Sequence, residues 1–204
     1  MHIIKKRPSF LAGRIRTVAE DFRVEEIQSI QFSGDGEHLW LHLKKSGCNT
    51  QFVAQKIAKA LGIDNRNVSF SGLKDRHAVT TQWFSAQIPG KASPENIDLG
   101  DDIKVLDIQR HHKKLRRGQL EGNRFSIIVR DVEGNTDLLE KTVESVRTSG
   151  VPNYFGEQRF GRDFGNLEKC LNMFARKYKP RNRDERGLLI STARSYLFLS
   201  LIHI

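Results

Sequence analysis

Apolar and polar residues alternate along Leu39-Trp40-Leu41-His42-Leu43, the period of a strand, and Ser46-Gly47 breaks the pattern. The period then changes. Phe52, Val53, Ile57, Ala60 and Leu61 recur at helical spacing, Asn49 or Thr50 offers a side-chain N-cap, and Gly62 suits the C′ position. Val68-Ser69-Phe70 predicts a short strand and Gln82 to Ile88 a longer one, stopped by Pro89-Gly90. Gly90 to Gly100 predicts a loop and Ile103 to Ile108 a strand. Phe125-Ser126-Ile127-Ile128-Val129, rich in β-branched residues, gives the strongest strand signal in the chain. Asp137 opens a helix with Leu138, Leu139, Val143 and Val146 on its apolar face, and Gly150-Val151-Pro152 closes it. A last helix is expected from Asn166 to Tyr178, with Leu167, Leu171 and Phe174 buried. Short strands separated by single helices, with connections too short for successive parallel crossovers, predict an α+β fold: a mostly antiparallel mixed sheet with helices packed on it.

Composition narrows the class. The 204 residues suit one domain, or one domain and part of another. Twelve Phe and two Trp supply a core and exclude disorder as the main state. Only two cysteines occur, Cys48 and Cys170, far apart and outside any CxxC pair, which excludes a disulfide scaffold and a cysteine-based zinc site. The N-terminus has no signal-peptide pattern. The apolar run Tyr196 to Ile204 is nine residues long, against about 20 for a membrane span. A reduced cytoplasmic protein is the expectation.

Charge points to the partner. Lys plus Arg is 34 and Asp plus Glu 24, a net charge of +10, which favours a polyanion and most simply a nucleic acid. The cations are clustered. Arg110 to Arg117 holds five and no acid, with Lys113, Lys114, Arg116 and Arg117 the candidate RNA contacts. Arg176 to Arg186 holds six, interleaved with Asp184 and Glu185.

The densest polar cluster, Ser71-Gly72-Leu73-Lys74-Asp75-Arg76-His77-Ala78-Val79-Thr80-Thr81-Gln82, lies between two predicted strands. It has neither the glycines nor the GK[ST] ending of a phosphate cradle. It does set Asp75 between two cations, which favour the ionised carboxylate, and an ionised Asp can serve as nucleophile or base. An Asp in a turn more commonly caps the backbone.

This cluster resembles the signature of the TruD family of tRNA pseudouridine synthases. Further segments agree in order: Glu20-Asp21-Phe22-Arg23-Val24-Glu25-Glu26, with Ala19 where proline is usual; Gly47-Cys48-Asn49-Thr50; His112 to Phe125 with Gly122-Asn123-Arg124-Phe125; Pro152-Asn153-Tyr154-Phe155-Gly156-Glu157-Gln158-Arg159-Phe160-Gly161; and Ala193-Arg194-Ser195-Tyr196-Leu197-Phe198. The resemblance covers residues 10 to 198. It implies isomerisation of uridine to pseudouridine, at position 13 of tRNA in bacterial members, with no cofactor, no metal and no obligate protein partner. It implies Asp75 as the catalytic aspartate and Arg16 as its basic partner. Phe125 would stack on the target base, Asn123 would hydrogen-bond a base edge or the loop, and Phe22 would belong to the same pocket.

The resemblance also implies a longer chain, whose catalytic sheet is completed by a C-terminal segment and interrupted by an inserted domain. On that pattern residues 1–150 are the N-terminal part of the catalytic core, and 151–204 begin an inserted α/β domain. Leu199 to Ile204 departs from the family, which suggests a truncated end. The competing expectation is a non-catalytic, basic tRNA-binding fragment of the same fold.

Overall fold

The computed structural model describes residues 11–90, 92–94, 96–151 and 154–202. Among these are eight strands: β1 (Leu11–Ile15), β2 (Phe22–Ile27), β3 (His38–Ser46), β4 (Val68–Phe70), β5 (Val79–Gln87), β6 (Ile103–His111), β7 (Gly122–Ile127) and β8 (Val129–Gly134). The α-helices are α1 (Thr50–Leu61), α2 (Thr136–Ser149), α3 (Glu157–Phe160), α4 (Gly165–Phe174) and α5 (Arg183–Ile202). The main sheet runs β6-β3-β5-β2-β7, with β4 added beside β5, and β1 and β8 form a separate two-stranded ribbon. Among the described residues β2 and β5 pair in parallel and the other pairs are antiparallel. The chain divides into two units, 1–138 and 139–204, at a point inside α2.

The first unit is built on β3. Leu39, Leu41 and Leu43 project from one face onto Val53, Ala54, Ile57 and Ala58 of α1. Trp40, from the other face, joins Trp83 and Leu115 beneath Ile30 and Phe32. Burial on both faces explains why this strand extends to His38 and Ser46, beyond its alternating segment. The cap of α1 is Asn49, whose Oδ1 accepts from the Phe52 N–H at 2.8 Å, and Gly62 ends the helix at φ 62°.

Three expectations are corrected. Phe125 to Val129 is not one strand: β7 ends at Ile127 and pairs with β2, whereas β8 starts at Val129 and pairs with β1. Between them the Ile128 N–H donates to the Asp21 carbonyl, so the apolar run is shared between two sheets. The helix from Asn166 ends at Phe174 instead of Tyr178, because Arg176 takes a left-handed φ of 60° and the Lys177 and Tyr178 N–H groups turn back to the Asn172 carbonyl. Its buried residue is Cys170; Leu171 and Phe174 are each 61% exposed and Leu167 is half-buried. The helix is rotated by about one residue, or 100°, from the expected orientation.

In the second unit Phe160, Cys170, Leu189 and Leu199 are buried where α3, α4 and α5 meet. The segment 183–202, read from sequence as a basic stretch followed by an apolar tail, is the single helix α5. Leu138, Leu139, Val143 and Val146 of α2 are each 37–48% exposed. Pro152 and Asn153 of the fourth motif lie outside the described residues. No helix among the described residues is long and apolar enough to cross a membrane.

Candidate active site

The sheet register sorts the candidate residues. Side chains alternate across a strand, so Phe22, Val24 and Glu26 of β2 share a face. Opposite them on β7 stand Ile127, Phe125 and Asn123. On the other side, Val24 is level with Thr80 of β5, and Thr80 is level with Lys45 of β3. The loop 71–78 between β4 and β5 carries Asp75 onto this face.

There Asp75 meets Arg16. The Arg16 Nη2 donates to Asp75 Oδ2 at 2.9 Å, with the two side chains 38% and 40% exposed, so the carboxylate is paired yet open to a substrate. The Arg16 guanidinium lies over the Phe22 ring, 4.0 Å from its centroid. Phe22 in turn meets the edge of Phe125, ring centroids 6.1 Å apart. Phe22 is 7% exposed and Phe125 56%, so of the two rings Phe125 has the free surface to stack on a base. Asn123 stands exposed two positions along β7, opposite Glu26. Arg16 itself has φ 61°, a left-handed conformation that a long side chain adopts at a cost of about 1–3 kcal/mol and only where its surroundings fix it.

The loop bearing Asp75 is held by polar groups, most of them buried. Glu26 accepts from the Ser71 hydroxyl and from the Lys74 ammonium, the latter at 2.7 Å. Gln82 donates to the Gly72 carbonyl at 3.2 Å, and Thr50 Oγ1 accepts from the Lys74 N–H at 2.9 Å. The Lys45 ammonium, 1% exposed, donates to the carbonyls of Cys48 and Asp75 at 2.7 and 2.9 Å. Burial pulls the Lys45 pKa down to about 8. Burial also pushes the Cys48 thiol above its ordinary value. Arg76 Nε donates to the Gly47 carbonyl at 3.0 Å. A peptide fastened at Ser71, Gly72, Lys74, Asp75 and Arg76 has little freedom left, which is the preorganisation that a reacting carboxylate requires.

The RNA-contact candidates form a neighbouring patch. Leu115 is fully buried, while Lys113, Lys114, Arg116 and Arg117 are exposed around it. The loop is held through its main chain: Trp40 Nε1 donates to the Lys113 carbonyl, the Leu115 N–H to Ser85 Oγ, and the Gly118 N–H to the Ser71 carbonyl at 2.7 Å. The last bond ties the cationic loop to the Asp75 loop. In the second cationic stretch Glu185 accepts from the Arg181 N–H and the Tyr178 hydroxyl, which holds its carboxyl down to about 2. Among the described residues no group of three or more His, Cys, Asp or Glu side chains is arranged to hold a metal.

A family model for tRNA pseudouridine synthase D (TruD) matches residues 5–168. The chain belongs to the TruD family. A tRNA pseudouridine synthase D of Methylococcus capsulatus is 51% identical over 187 residues, which is 91% of this chain and 53% of that protein. One from Pseudomonas fluorescens is 46% identical over 185 residues, 90% of this chain and 53% of that protein. The fold is also that of a solved TruD-assigned structure from Methanosarcina mazei, with TM-score 0.65 and 30% identity over 83% of this chain and 40% of that one. The chain thus spans about half the length of the curated relatives it matches.

Asp75, Arg16, Phe22 and Phe125 form a continuous chain of contacts, and Asn123 is on their face. Sequence reasoning missed the buried supports Glu26, Lys45, Thr50, Ser71, Lys74 and Gln82. Ser71, Lys74 and Gln82 were inside the quoted loop motif and Glu26 inside the β2 motif. For Lys45 the signal was parity: it continues the inward series 39, 41, 43.

Proposed function

We propose that this chain carries the catalytic aspartate of a tRNA pseudouridine synthase that converts uridine 13 to pseudouridine without a cofactor. The observation that carries the reading is the half-exposed Arg16–Asp75 pair, with Asp75 on a rigidly held loop and Arg16 over the Phe22 ring, which Phe125 meets in turn. A uridine must leave its stack to be reached, at a cost of a few kcal/mol, and stacking on the open face of Phe125 recovers part of it. Asn123, two positions from Phe125 on the same strand, reads a base edge on this proposal. In the reaction the C1′–N1 bond breaks, the uracil turns, and a C1′–C5 bond forms. The proton on C5 departs and N1 gains one, so atoms and electrons balance within the nucleoside and solvent. Asp75 acts at the sugar or the base, with Arg16 holding it in place. Lys113, Lys114, Arg116 and Arg117 hold the phosphate backbone, and their contribution weakens with salt.

On this reading residues 1–150 are catalytic core and residues 151–204 begin the inserted domain. The substrate is tRNA, no metal or obligate protein partner takes part, and the setting is the cytoplasm. The test is tritium release from tRNA labelled at uracil C5. Release by the wild-type chain, lost in Asp75→Ala with tRNA affinity retained, supports the assignment. Retained release in Asp75→Ala refutes the role of the aspartate, and tRNA binding without release by the wild type leaves an RNA-binding module in place of an enzyme.

A further inference from the structure

Of the four acidic residues in the β2 motif, none used by the chemistry above, Asp21 and Glu26 stand apart. Both side chains are completely buried. Asp21 stands immediately before β2 and Glu26 near its far end. Burying a carboxylate is costly unless it is paired: Glu26 is paired with Lys74 of the Asp75 loop, and Asp21 with Arg130 of β8, the strand that pairs with β1.

Asp21 brackets Arg16. Its oxygens accept Arg130 Nε and Nη2 at 2.8 and 2.7 Å, a bidentate pair. Arg130 lies on β8 opposite Arg14 of β1, two residues before Arg16. Asp21 Oδ2 also accepts from the Val18 N–H at 3.2 Å, two residues after Arg16. The Arg130 guanidinium holds the Asp21 carboxyl below the usual carboxylate range, so this anchor is ionised at neutral pH. Glu26 brackets Asp75 in the same manner. One oxygen takes both the Ser71 hydroxyl, at the loop entrance, and the Lys74 ammonium, next to Asp75. The other accepts from the Trp83 N–H of β5 at 3.3 Å.

We propose that Asp21 and Glu26 are positioning residues: one carboxylate fastens the segment bearing Arg16, the other the loop bearing Asp75, and the rigid strand between them sets the Arg16–Asp75 contact. Neither touches the reacting atoms. The assignment rests on the proposed isomerase function for its kinetic consequence, but the fastening itself is measurable without turnover.

The experiment uses the full chain with Glu26→Gln and Asp21→Asn, which keep shape and an acceptor while removing charge, beside Glu26→Asp, which keeps charge and shortens the reach. Backbone hydrogen exchange is followed in 71–76, in 14–18 and in the core strand at 39–43. In parallel, tritium release gives kcat and KM, and tRNA affinity is measured directly. Glu26→Gln should speed exchange in 71–76 by about tenfold or more with 39–43 unchanged. Asp21→Asn should do the same in 14–18 only. Both should lower kcat by about a hundredfold with KM and tRNA affinity within about twofold, the pattern of a misplaced reacting group. Glu26→Asp should fall between Glu26→Gln and wild type.

Unchanged local exchange overturns the proposal. So does faster exchange that includes 39–43, since the carboxylate then holds the fold and not the site. So does a looser loop with undiminished kcat. If the wild type releases no tritium, the isomerase reading is what fails, and the exchange measurements still decide the fastening.

Discussion

Replacing Lys45 by methionine tests the interior of the site independently of RNA. Lys45 projects inward from β3, is 1% exposed, and donates its ammonium hydrogens to the Cys48 and Asp75 carbonyls. Burial lowers its pKa from 10.5 to about 8. In the unfolded chain the amine keeps its proton up to about pH 10.4. Between these values the unfolded state binds more protons than the folded state, so stability rises with pH across the window. A tenfold difference in proton affinity between the two states corresponds to about 1.4 kcal/mol, and integration from about pH 7 to about pH 10 gives a gain of about 2–3 kcal/mol from this one residue. Lys45→Met has no such group, and every other titrating residue is common to both chains. Urea unfolding of the two proteins at about pH 7, 8, 9 and 10 isolates the lysine's contribution: the wild-type stability minus that of Lys45→Met should climb by that amount. Parallel curves would refute the claim that an ammonium is buried beneath the Asp75 loop. A difference that falls with pH would mean that a partner raises the pKa and that carbonyl contacts outweigh desolvation.

Other consequences are simpler to test. Phe125→Ala should weaken capture of the target base by about 1–3 kcal/mol, read as tRNA affinity or turnover, with little change in thermal stability, since the ring is 56% exposed. Replacing Lys113, Lys114, Arg116 and Arg117 together by Gln should flatten the dependence of log Kd on log salt by about 0.7–0.9 for each phosphate no longer neutralised, leaving the fold intact because all four are exposed. Ile57→Ala, at a fully buried position of α1, should cost about 2–5 kcal/mol in chemical denaturation. Cys48 and Cys170, both buried and both with thiol pKa values raised by burial, should react with a thiol reagent only as fast as the chain opens.

Where one face of an element met one environment, the chain's pattern was enough. The Leu39-Leu41-Leu43 alternation, the Asn49 cap and the Gly62 stop each rest on local physics, and each stands in the structure. The pattern failed where tertiary partners decide. Phe125 to Val129 looks uniform, yet a single bond from the Ile128 N–H to Asp21 hands the chain from β2 to β1. β2 escaped notice because its inward positions include Phe22, Val24 and the charged Glu26, so the apolar alternation stops short. α4 was rotated because Cys170, a small residue, takes the buried position in preference to Leu171 and Phe174. Of the site, the loop motif and the TruD resemblance gave the candidate residues Asp75, Arg16, Phe22, Asn123 and Phe125. For the buried groups that hold them, motif membership or strand parity was visible but their burial and pairing were not, because a polar residue gives no sign in one dimension of the partner that lets it be buried.

The cationic loop divides its duties between two kinds of atom. Three of its anchors are main chain, the Lys113 carbonyl and the Leu115 and Gly118 N–H groups, and the buried Leu115 side chain is an apolar plug. What reaches outward is side chain. Amide groups are common to every residue but proline, so Lys113, Lys114 and Arg116 can be exchanged for other long residues without loosening these main-chain bonds. Charge at this surface is therefore free to drift or be re-tuned one residue at a time, while the geometry that joins it to Ser71 is inherited with the backbone.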